Sequence, residues 1–233
     1  MELRAATEAD TLGCTLDSPR VAQLLERIFE DVEANRVQAR QVLATMTPEQ
    51  QARLQSGAEQ DYRHLYGLAR ELYLAVSRDT ARLLYMQARA MGARTIVEFG
   101  TSFGVSTLHL AAALRDNGGG RLIGTELEPA KIARARANLA AAGLEDLVEI
   151  REGDALETLA RGLPESIDLV LLDGHKPLYA PILDLLGPRL RQGGCVLADN
   201  TDAAPDYLAR VRAVGGGFVS GPLGADVELS LKL

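Results

Sequence analysis

The chain has few of the features that mark secreted or membrane proteins. Its 233 residues include two cysteines, Cys14 in a polar stretch and Cys195 inside an apolar run, which are too few for a disulfide framework or a structural zinc site. No segment approaches the roughly 20 apolar residues of a membrane span, and the N-terminal region holds no apolar stretch resembling a signal peptide. We therefore expect a cytoplasmic protein that has no membrane partner.

The chain also lacks an excess of positive charge, and it has no tryptophan. Its 25 Lys and Arg residues are outnumbered by 32 Asp and Glu residues, so that the net charge is −7. A nucleic-acid partner is therefore disfavoured, because binding to phosphates normally requires a basic face. The length suits one α/β domain with an appendage.

A glycine loop separates a predicted strand from a predicted helix in residues 96–106, IVEFGTSFGVS. The apolar residues around Glu98 predict a buried strand, and the stretch from Val105 to Leu114 predicts a helix whose free N–H groups face the loop. The E-x-G-x-x-x-G spacing differs from the G-x-G-x-x-G of dinucleotide binders, which disfavours a nicotinamide dehydrogenase. A carboxylate ahead of the loop suits a cationic ligand better than a diphosphate.

Two further acidic residues follow predicted strands. Glu126 ends a short apolar run, where a carboxylate could accept hydrogen bonds from both hydroxyls of a ribose, and Asp154 ends the next unit. Each acid alone could be an ordinary solvated residue at the end of a strand. Together with Glu98, the three acids indicate a nucleoside site.

Oxygen-bearing side chains also follow two near-continuous apolar runs, which predict central parallel strands. Asp173 follows the first run, and Asp199 and Asn200 follow the second. Ligands of open α/β sheets lie at the carboxyl ends of the strands, so we expect these side chains to surround one crevice. Oxygen ligands without sulfur or imidazole favour Mg²⁺, Mn²⁺ or Ca²⁺. The alternative for Asp199 and Asn200 is a simple turn from strand to loop.

These patterns resemble the class I S-adenosylmethionine-dependent methyltransferases and, among them, the cation-dependent O-methyltransferases of the catechol and caffeoyl-CoA type. The resemblance runs from about Ser77 to Leu233. It implies a Rossmann-like, mostly parallel seven-stranded sheet of order 3-2-1-4-5-7-6 with strand 7 antiparallel. It also implies an enzyme that methylates a hydroxyl of a small, catechol-like or vicinal-oxygen molecule with S-adenosylmethionine as donor and Mg²⁺, Mn²⁺ or Ca²⁺ as metal.

The resemblance further implies roles for individual residues. The cofactor would be bound by Glu98, Gly100, Thr101, Ser102, Gly104, Ser106, Glu126, Leu127, Asp154, Ala155 and Asp173. The metal would be bound by Asp173, Asp199 and Asn200, catalysis would use Lys176 as the base together with Asp173, and His175 and Tyr179 would contact the substrate.

Several alternatives remain open at this level. Lys176 stands beside Pro177 and could be an ordinary surface charge. Asp173 and Asp199 could position a substrate without a metal, or the chain could be a catalytically silent scaffold that binds S-adenosylmethionine. The sequence has Gly174-His175 where catechol-type enzymes carry aromatic residues, so a different acceptor is also possible.

The N-terminal third predicts helices. Ser18-Pro19 is a strong helix start, followed by an apolar face. A second helix is predicted to begin at Thr47-Pro48-Glu49, a third to run from about Ala58 to Val76, and a fourth from Ser77 to Met91. The residues of the first apolar face are Val21, Leu24, Leu25, Ile28 and Val32. We expect residues 1–76 to form a helical extension that covers the substrate or forms a homodimer interface, and residues 77–233 to form the methyltransferase domain.

The C-terminal segment predicts one short helix and then a hairpin. The helix is expected around Pro205 to Val214, and strands are expected over 218–220 and 227–231. The separation of the two strands is short enough for an antiparallel pair, which agrees with the last strands of the methyltransferase sheet.

Overall fold

Seven strands form one sheet in the computed structural model, which describes residues 13–45, 47, 75–224 and 226–233. The apolar runs identified above form its central strands, because a strand that is covered on both faces needs apolar side chains on both sides. The strands are β1 (Thr95–Phe99), β2 (Arg121–Glu126), β3 (Val148–Glu152), β4 (Ile167–Leu172), β5 (Leu190–Ala198), β6 (Phe218–Pro222) and β7 (Glu228–Lys232).

The order of the strands is β3-β2-β1-β4-β5-β7-β6, which confirms the predicted sheet. The pairs from β3 to β5 are parallel, whereas β7 is antiparallel to both β5 and β6. The chain order reverses between β1 and β4, which lie side by side. Connections leave in opposite directions at such a point, so a crevice opens at the carboxyl ends of these strands.

The helices begin and end at residues that suit their positions. Ser77 caps the helix that starts at Arg78 by accepting a hydrogen bond from the N–H of Thr80. Gly143 ends another helix in the left-handed conformation, with φ of 71°. The helices are α1 (Pro19–Thr45), α2 (Arg78–Ala90), α3 (Val105–Asp116), α4 (Pro129–Ala142), α5 (Ala155–Thr158), α6 (Tyr179–Leu186) and α7 (Pro205–Val211).

The core consists of two apolar layers, one on each face of the sheet. Successive residues of β1 point to opposite faces, so that Ile96 joins the layer under α1 to α4 and Val97 joins the layer under α5 to α7. Helix α3 is buried along Val105 to Leu114 because it lies between the sheet and α2. This packing fixes the loop that precedes α3.

The described part of the N-terminal segment packs on the first layer. The predicted apolar face of α1 is confirmed, since it is buried in that layer. Arg20 of α1 donates hydrogen bonds to the carbonyls of Ala140 and Ala141 at the end of α4, at 2.7 and 2.5 Å. These contacts attach α1 to the sheet domain, and the boundary between 1–76 and 77–233 remains a prediction.

Two predicted N-terminal helices fall largely outside the described residues. The helix expected to start at Thr47-Pro48-Glu49 lies there apart from Thr47 itself. The helix expected over Ala58 to Val76 lies there too, except for its last two residues, which are described and are not helical. The fourth predicted helix is confirmed as α2.

The C-terminal hairpin is confirmed, with Val219 opposite Leu231. Helix α7 ends at Val211 and not at Val214, and three consecutive glycines from Gly215 follow before β6. Among the described residues, no helix combines the length and the apolar character that crossing a membrane requires.

Asp168 connects the amino ends of three strands, β1, β4 and β5. Its carboxylate accepts hydrogen bonds from the N–H groups of Arg94 and Thr95, both at 2.8 Å, and from Nε of Arg191 at 2.6 Å. Burial alone would raise the pKa of Asp168, but these donors hold it below its usual value. The contribution to stability is therefore present above about pH 3.9 and is lost as the pH falls through the lower pKa of the folded state.

We expect Asp168→Ala to lower the free energy of unfolding at pH 7 by about 2–4 kcal/mol, because it leaves two N–H groups without their acceptor. Asp184→Ala is the matched control. Its pair with Arg210 is exposed, with side-chain exposures of 58% and 59%, and should be worth about 0–1 kcal/mol. Urea unfolding of both variants measures the difference, and equal losses would contradict this role for Asp168.

Candidate functional site

A cleft opens at the carboxyl ends of β1 to β4. It brings together six of the residues predicted for the site, namely Gly100, Glu126, Leu127, Asp154, Ala155 and His175. Phe99, Thr125, Gly153, Gly174 and Leu178 complete its wall. The cleft lies where the strand order reverses, which is the expected place for a ligand in this kind of sheet.

Glu98 lies behind the glycine loop and is fully buried. Its carboxylate accepts three hydroxyl hydrogen bonds, from Ser106 at 2.6 Å, from Thr107 at 2.6 Å and from Thr101 at 3.0 Å. Burial raises the pKa of Glu98, and the three hydroxyls act against that rise. Through these three hydroxyl groups, the carboxylate connects the end of β1 to the loop and to the first turn of α3.

The hydrogen bonds to Glu98 require a glycine at position 124 of the neighbouring strand β2. A Cβ atom on Gly124 of β2 would lie 2.3 Å from Oγ1 of Thr101 and 3.2 Å from Oε2 of Glu98. Gly124 pairs with Glu98 in the sheet. The glycine therefore leaves the space in which the hydroxyls reach the carboxylate.

Glu126 lines the cleft at the end of β2. One of its oxygens accepts from the N–H of Ser102 at 2.8 Å, and the other accepts from the N–H groups of Leu127 and Glu128 at 2.8 and 3.0 Å. A carboxylate has about four lone-pair sites, so some acceptor capacity remains for hydroxyl groups of a ligand. The N–H donors fix the orientation of the carboxylate and therefore the direction of its remaining lone pairs.

A second, smaller pocket continues from the cleft at Gly100. It is lined by Ala75, Val76, Gly100, Thr101, Ser102, Phe103, Val105, Ser106 and Asp173. Within the described residues, the Oγ atom of Ser102 is buried and has no hydrogen-bond partner. Buried hydroxyls are normally paired, so this atom fits a polar ligand such as the amino-acid end of S-adenosylmethionine.

The walls of β1 and β4 approach each other closely at this pocket. Gly100 has φ of 99°, and a Cβ atom there would lie 2.5 Å from the backbone oxygen of Asp173. Glycine is therefore required by both the backbone conformation and the space. Gly104 has a different role. It lies directly before the first residue of α3, with φ of 88°, and does not line either pocket.

Asp154 and Ala155 form the β3 side of the cleft. The carboxylate of Asp154 caps α5 by accepting from the N–H of Leu156 at 2.9 Å. This hydrogen bond fixes the turn that presents both residues to the cleft.

The three predicted metal ligands follow β4 and β5. Leu172 pairs with Ala198, and the N–H of Asp199 donates to the carbonyl of Leu172 at 3.0 Å. Asp173 and Asp199 thus leave neighbouring strands side by side. Burial raises the pKa of both carboxyls, and the charge of Asp173 raises that of Asp199 further. Neighbouring buried carboxylates of this kind indicate a place where a cation is favourable.

The donor set is two carboxylates and one amide oxygen, which suits a hard divalent cation. Among the residues that the structure describes, no group of three His, Cys, Asp or Glu side chains is arranged to hold a metal. A metal here would therefore need the amide of Asn200 as its third protein ligand.

Lys176 and His175 follow Asp173 on one short segment. The Nζ atom of Lys176 lies 3.4 Å from Oδ1 of Asp173 and 5.3 Å from the centre of the Tyr179 ring. His175 lines the cleft, and burial followed by the charge of Lys176 lowers its pKa. The ion pair places the ammonium beside the predicted metal ligand.

Tyr179 does not occupy the substrate-facing position predicted for it. It is fully buried, its hydroxyl donates to the carbonyl of Asp199 at 3.0 Å, and its ring packs edge to face against Phe99 and Tyr207. The reason is its place on α6, whose apolar face packs under the sheet. Tyr179 therefore supports Asp199 from below.

Sequence reasoning missed several residues that shape the site. Thr107 escaped notice because it follows the glycine motif by a helical turn, although a hydroxyl at that spacing is a readable signal. Asp226 gave no signal, yet its Oδ2 accepts a hydrogen bond from Nδ2 of Asn200 at 3.2 Å. Ala75 and Val76 line the small pocket without any motif.

Variants of Ser102 and Ser106 should separate two roles of a hydroxyl group, namely contact with the cofactor and support of the buried Glu98. We expect Ser102→Ala to leave the free energy of unfolding unchanged within about 0.5 kcal/mol, since its hydroxyl has no partner to lose. It should weaken binding of S-adenosylmethionine about tenfold, as expected for a hydrogen bond to a charged group. Ser106→Ala should instead lower stability by about 1–3 kcal/mol, because the buried Glu98 loses a donor.

Calorimetric titration and urea unfolding of both variants check these outcomes. A Ser102→Ala protein that binds the cofactor as tightly as the wild type would contradict the contact.

Comparison with known proteins finds similarity over part of the chain. Residues 97–201 match the family described as a methyltransferase domain. The catechol O-methyltransferase of Niastella koreensis is 35% identical over 130 residues, which cover 54% of this chain and 58% of that protein. The chain spans less than two thirds of the length of the first curated relatives it matches.

Solved structures show the same architecture. The O-methyltransferase TomG from Streptomyces achromogenes, involved in tomaymycin synthesis and solved in complex with S-adenosylmethionine, is 28% identical with a TM-score of 0.62, covering 76% of this chain and 88% of that one. An O-methyltransferase from Bacillus cereus, solved with S-adenosylhomocysteine, has the same fold, with 23% identity, a TM-score of 0.65 and coverage of 73% and 88%. Residues 97–201 of the chain thus match a methyltransferase domain, and the sheet has the fold of these solved O-methyltransferases.

Proposed function

We propose that this protein is an O-methyltransferase that moves the methyl group of S-adenosylmethionine to a hydroxyl of a small molecule, assisted by a divalent cation. One observation carries the proposal: Asp173 belongs both to the small pocket beside the glycine loop and to the oxygen set at the ends of β4 and β5. A methyl donor in the cleft and an acceptor oxygen near a cation would therefore meet at this residue. The similarity to O-methyltransferases supports the reaction type.

The cofactor is proposed to occupy the cleft and its smaller continuation. Glu126 would accept the ribose hydroxyls, the apolar wall around Ala155 and Leu127 would hold the adenine, and Ser102 would face the amino-acid end. Glu98 would act through the hydroxyls that it orients. Holding donor and acceptor at reacting distance supplies most of the rate in such a transfer.

The cation is proposed to be held by Asp173, Asp199 and Asn200. A phenol has a pKa of about 10 and is a weak nucleophile at neutral pH, and a bound Mg²⁺ would supply electrostatic stabilisation of its anion. Two oxygens on neighbouring carbons of the acceptor would suit the coordination positions that the protein leaves open. This is why a catechol-like or other vicinal-oxygen molecule is the acceptor class that we propose.

Lys176 is proposed as the base that takes the hydroxyl proton. In its ion pair with Asp173, the ammonium is stabilised by the carboxylate. A cation held at Asp173 would compete for that carboxylate, and repulsion between the two positive charges would favour loss of the ammonium proton to solvent. Nζ would then be the neutral amine that accepts the hydroxyl proton. In the net reaction the methyl group moves from sulfur to oxygen, and the hydroxyl proton goes to Nζ of Lys176.

Other parts of the sequence-based interpretation stay predictions. These are the homodimer, the cytoplasmic location and the part of residues 1–76 in covering the substrate. Gly174 and His175 stand beside the site and offer no aromatic platform of the catechol type, so an acceptor other than a catechol remains within the proposed class.

The metal part of the proposal is tested by transfer of labelled methyl to a panel of catechols and other vicinal diols. We expect product with Mg²⁺, and about a 100-fold or greater loss with EDTA and in Asp199→Ala, since removal of the cation takes away the stabilisation of the oxygen anion. Asp199 lines neither pocket of the cleft, so its variant should still bind S-adenosylmethionine. Asp202→Asn, an exposed change in the same loop, is the matched control and should keep full activity.

Product that survives EDTA would favour transfer without a metal. Cofactor binding with no product from any acceptor would favour a silent scaffold. In either case the proposed reaction would have to be revised.

The role of Lys176 is tested by Lys176→Arg and Lys176→Met. Arginine keeps the positive charge beside Asp173 but does not give up its proton, so a base role predicts that both variants lose about 10²–10⁴-fold in kcat. Cofactor affinity should stay close to that of the wild type. Substantial activity in Lys176→Arg alone would show that the charge matters and would exclude Lys176 as the base.

A further inference from the structure

We propose that Asp226 is a positioning residue that turns the side-chain amide of Asn200 so that its oxygen faces the cation. The inference rests on the proposed metal site, which it deepens. Asp226 itself is not proposed as a ligand. Its part is to decide which end of the Asn200 amide the cation meets.

The antiparallel pairing of β5 and β7 brings the two residues together. Ala198 pairs with Glu228, so the residue two positions after Ala198 lies opposite the residue two positions before Glu228. Those residues are Asn200 and Asp226. The turn between β6 and β7 therefore reaches the same edge of the sheet at which the parallel strands end.

Hydrogen bonds to both the backbone and the side chain of Asp226 hold it beside Asn200 and Thr201. The carbonyl of Asp226 accepts from the N–H of Thr201 at 3.0 Å and from its Oγ1 at 3.2 Å. The Oδ2 atom of Asp226 accepts from Nδ2 of Asn200 at 3.2 Å. The backbone contacts place the carboxylate, and the carboxylate then contacts the amide.

The chemistry of the two groups fixes the direction of the amide. An ionised carboxylate only accepts hydrogen bonds, whereas the amide of Asn200 donates through Nδ2 and accepts through Oδ1. Asp226 therefore takes the amino end, and the oxygen is left to face elsewhere. Asn200 is in the left-handed conformation, with φ of 52° and ψ of 47°, which asparagine tolerates better than most residues. An amide turned the other way would present N–H groups to a cation and repel it.

A contact that orients a ligand from outside the coordination sphere typically changes metal affinity 10–100-fold when it is removed. The carboxylate of Asp226 has the position for such an effect.

The test is calorimetric titration of the full chain with Mn²⁺ alone, without cofactor or acceptor. We expect Asp226→Ala to weaken Mn²⁺ binding at least about tenfold. Asp226→Asn should stay within about threefold of the wild type, because its amide oxygen still accepts from Nδ2 of Asn200. Asp202→Asn removes an exposed charge from the same loop and should bind Mn²⁺ as the wild type does.

A double-mutant cycle separates orientation from general damage. If Asp226 acts through Asn200, Asp226→Ala should have little further effect on Mn²⁺ affinity in the Asn200→Ala background. The inference is overturned if Asp226→Ala binds Mn²⁺ like the wild type, if Asp226→Asn is as weak as Asp226→Ala, or if the loss is equal in both backgrounds. A wild-type protein that does not bind Mn²⁺ would instead remove the metal site itself, before any variant is compared.

Discussion

The carboxylate of Glu98 and its three hydroxyl donors are the interaction on which the cleft depends. Leaving a buried carboxylate without donors would cost several kcal/mol, so Thr101, Ser106 and Thr107 must stay where they are. Because they belong to the loop and to the first turns of α3, the conformation of the loop is tied to the end of β1. The cleft and the small pocket both take their shape from this arrangement.

Three acids that look alike in the sequence serve different ends because their surroundings differ. Glu98 is closed off and holds the loop. Glu126 is oriented by three backbone N–H groups and faces the cleft, whereas Asp173 is paired with Lys176 and borders the second carboxylate, Asp199. The surroundings therefore separate three carboxylates that the sequence treats alike: Glu98 lines neither pocket, whereas Glu126 and Asp173 each line one.

The sequence predicts the sheet well because its signals are local. The apolar runs and strand-end acids identify the strands from β1 to β5, and the Ser77 cap identifies the start of α2. Contacts between distant segments are harder to predict, since a shift of one residue in the pairing of β5 and β7 would turn every side chain to the other face. The contact between Asn200 and Asp226 depends on this pairing, and the burial of Tyr179 depends on how α6 packs against the sheet.

The antiparallel seventh strand has a consequence for the site that a parallel one would not have. A strand running against β5 begins at the edge where β5 ends, so its preceding turn is delivered to the ligand side of the sheet. In this chain that turn carries Asp226, 26 residues after Asn200. The short segment after Asn200 leaves little material for a lid, and the hairpin brings Asp226 to the edge at which we propose that the cation binds. The position of β7 thus links the end of the fold to the orientation of Asn200, the proposed ligand that follows β5.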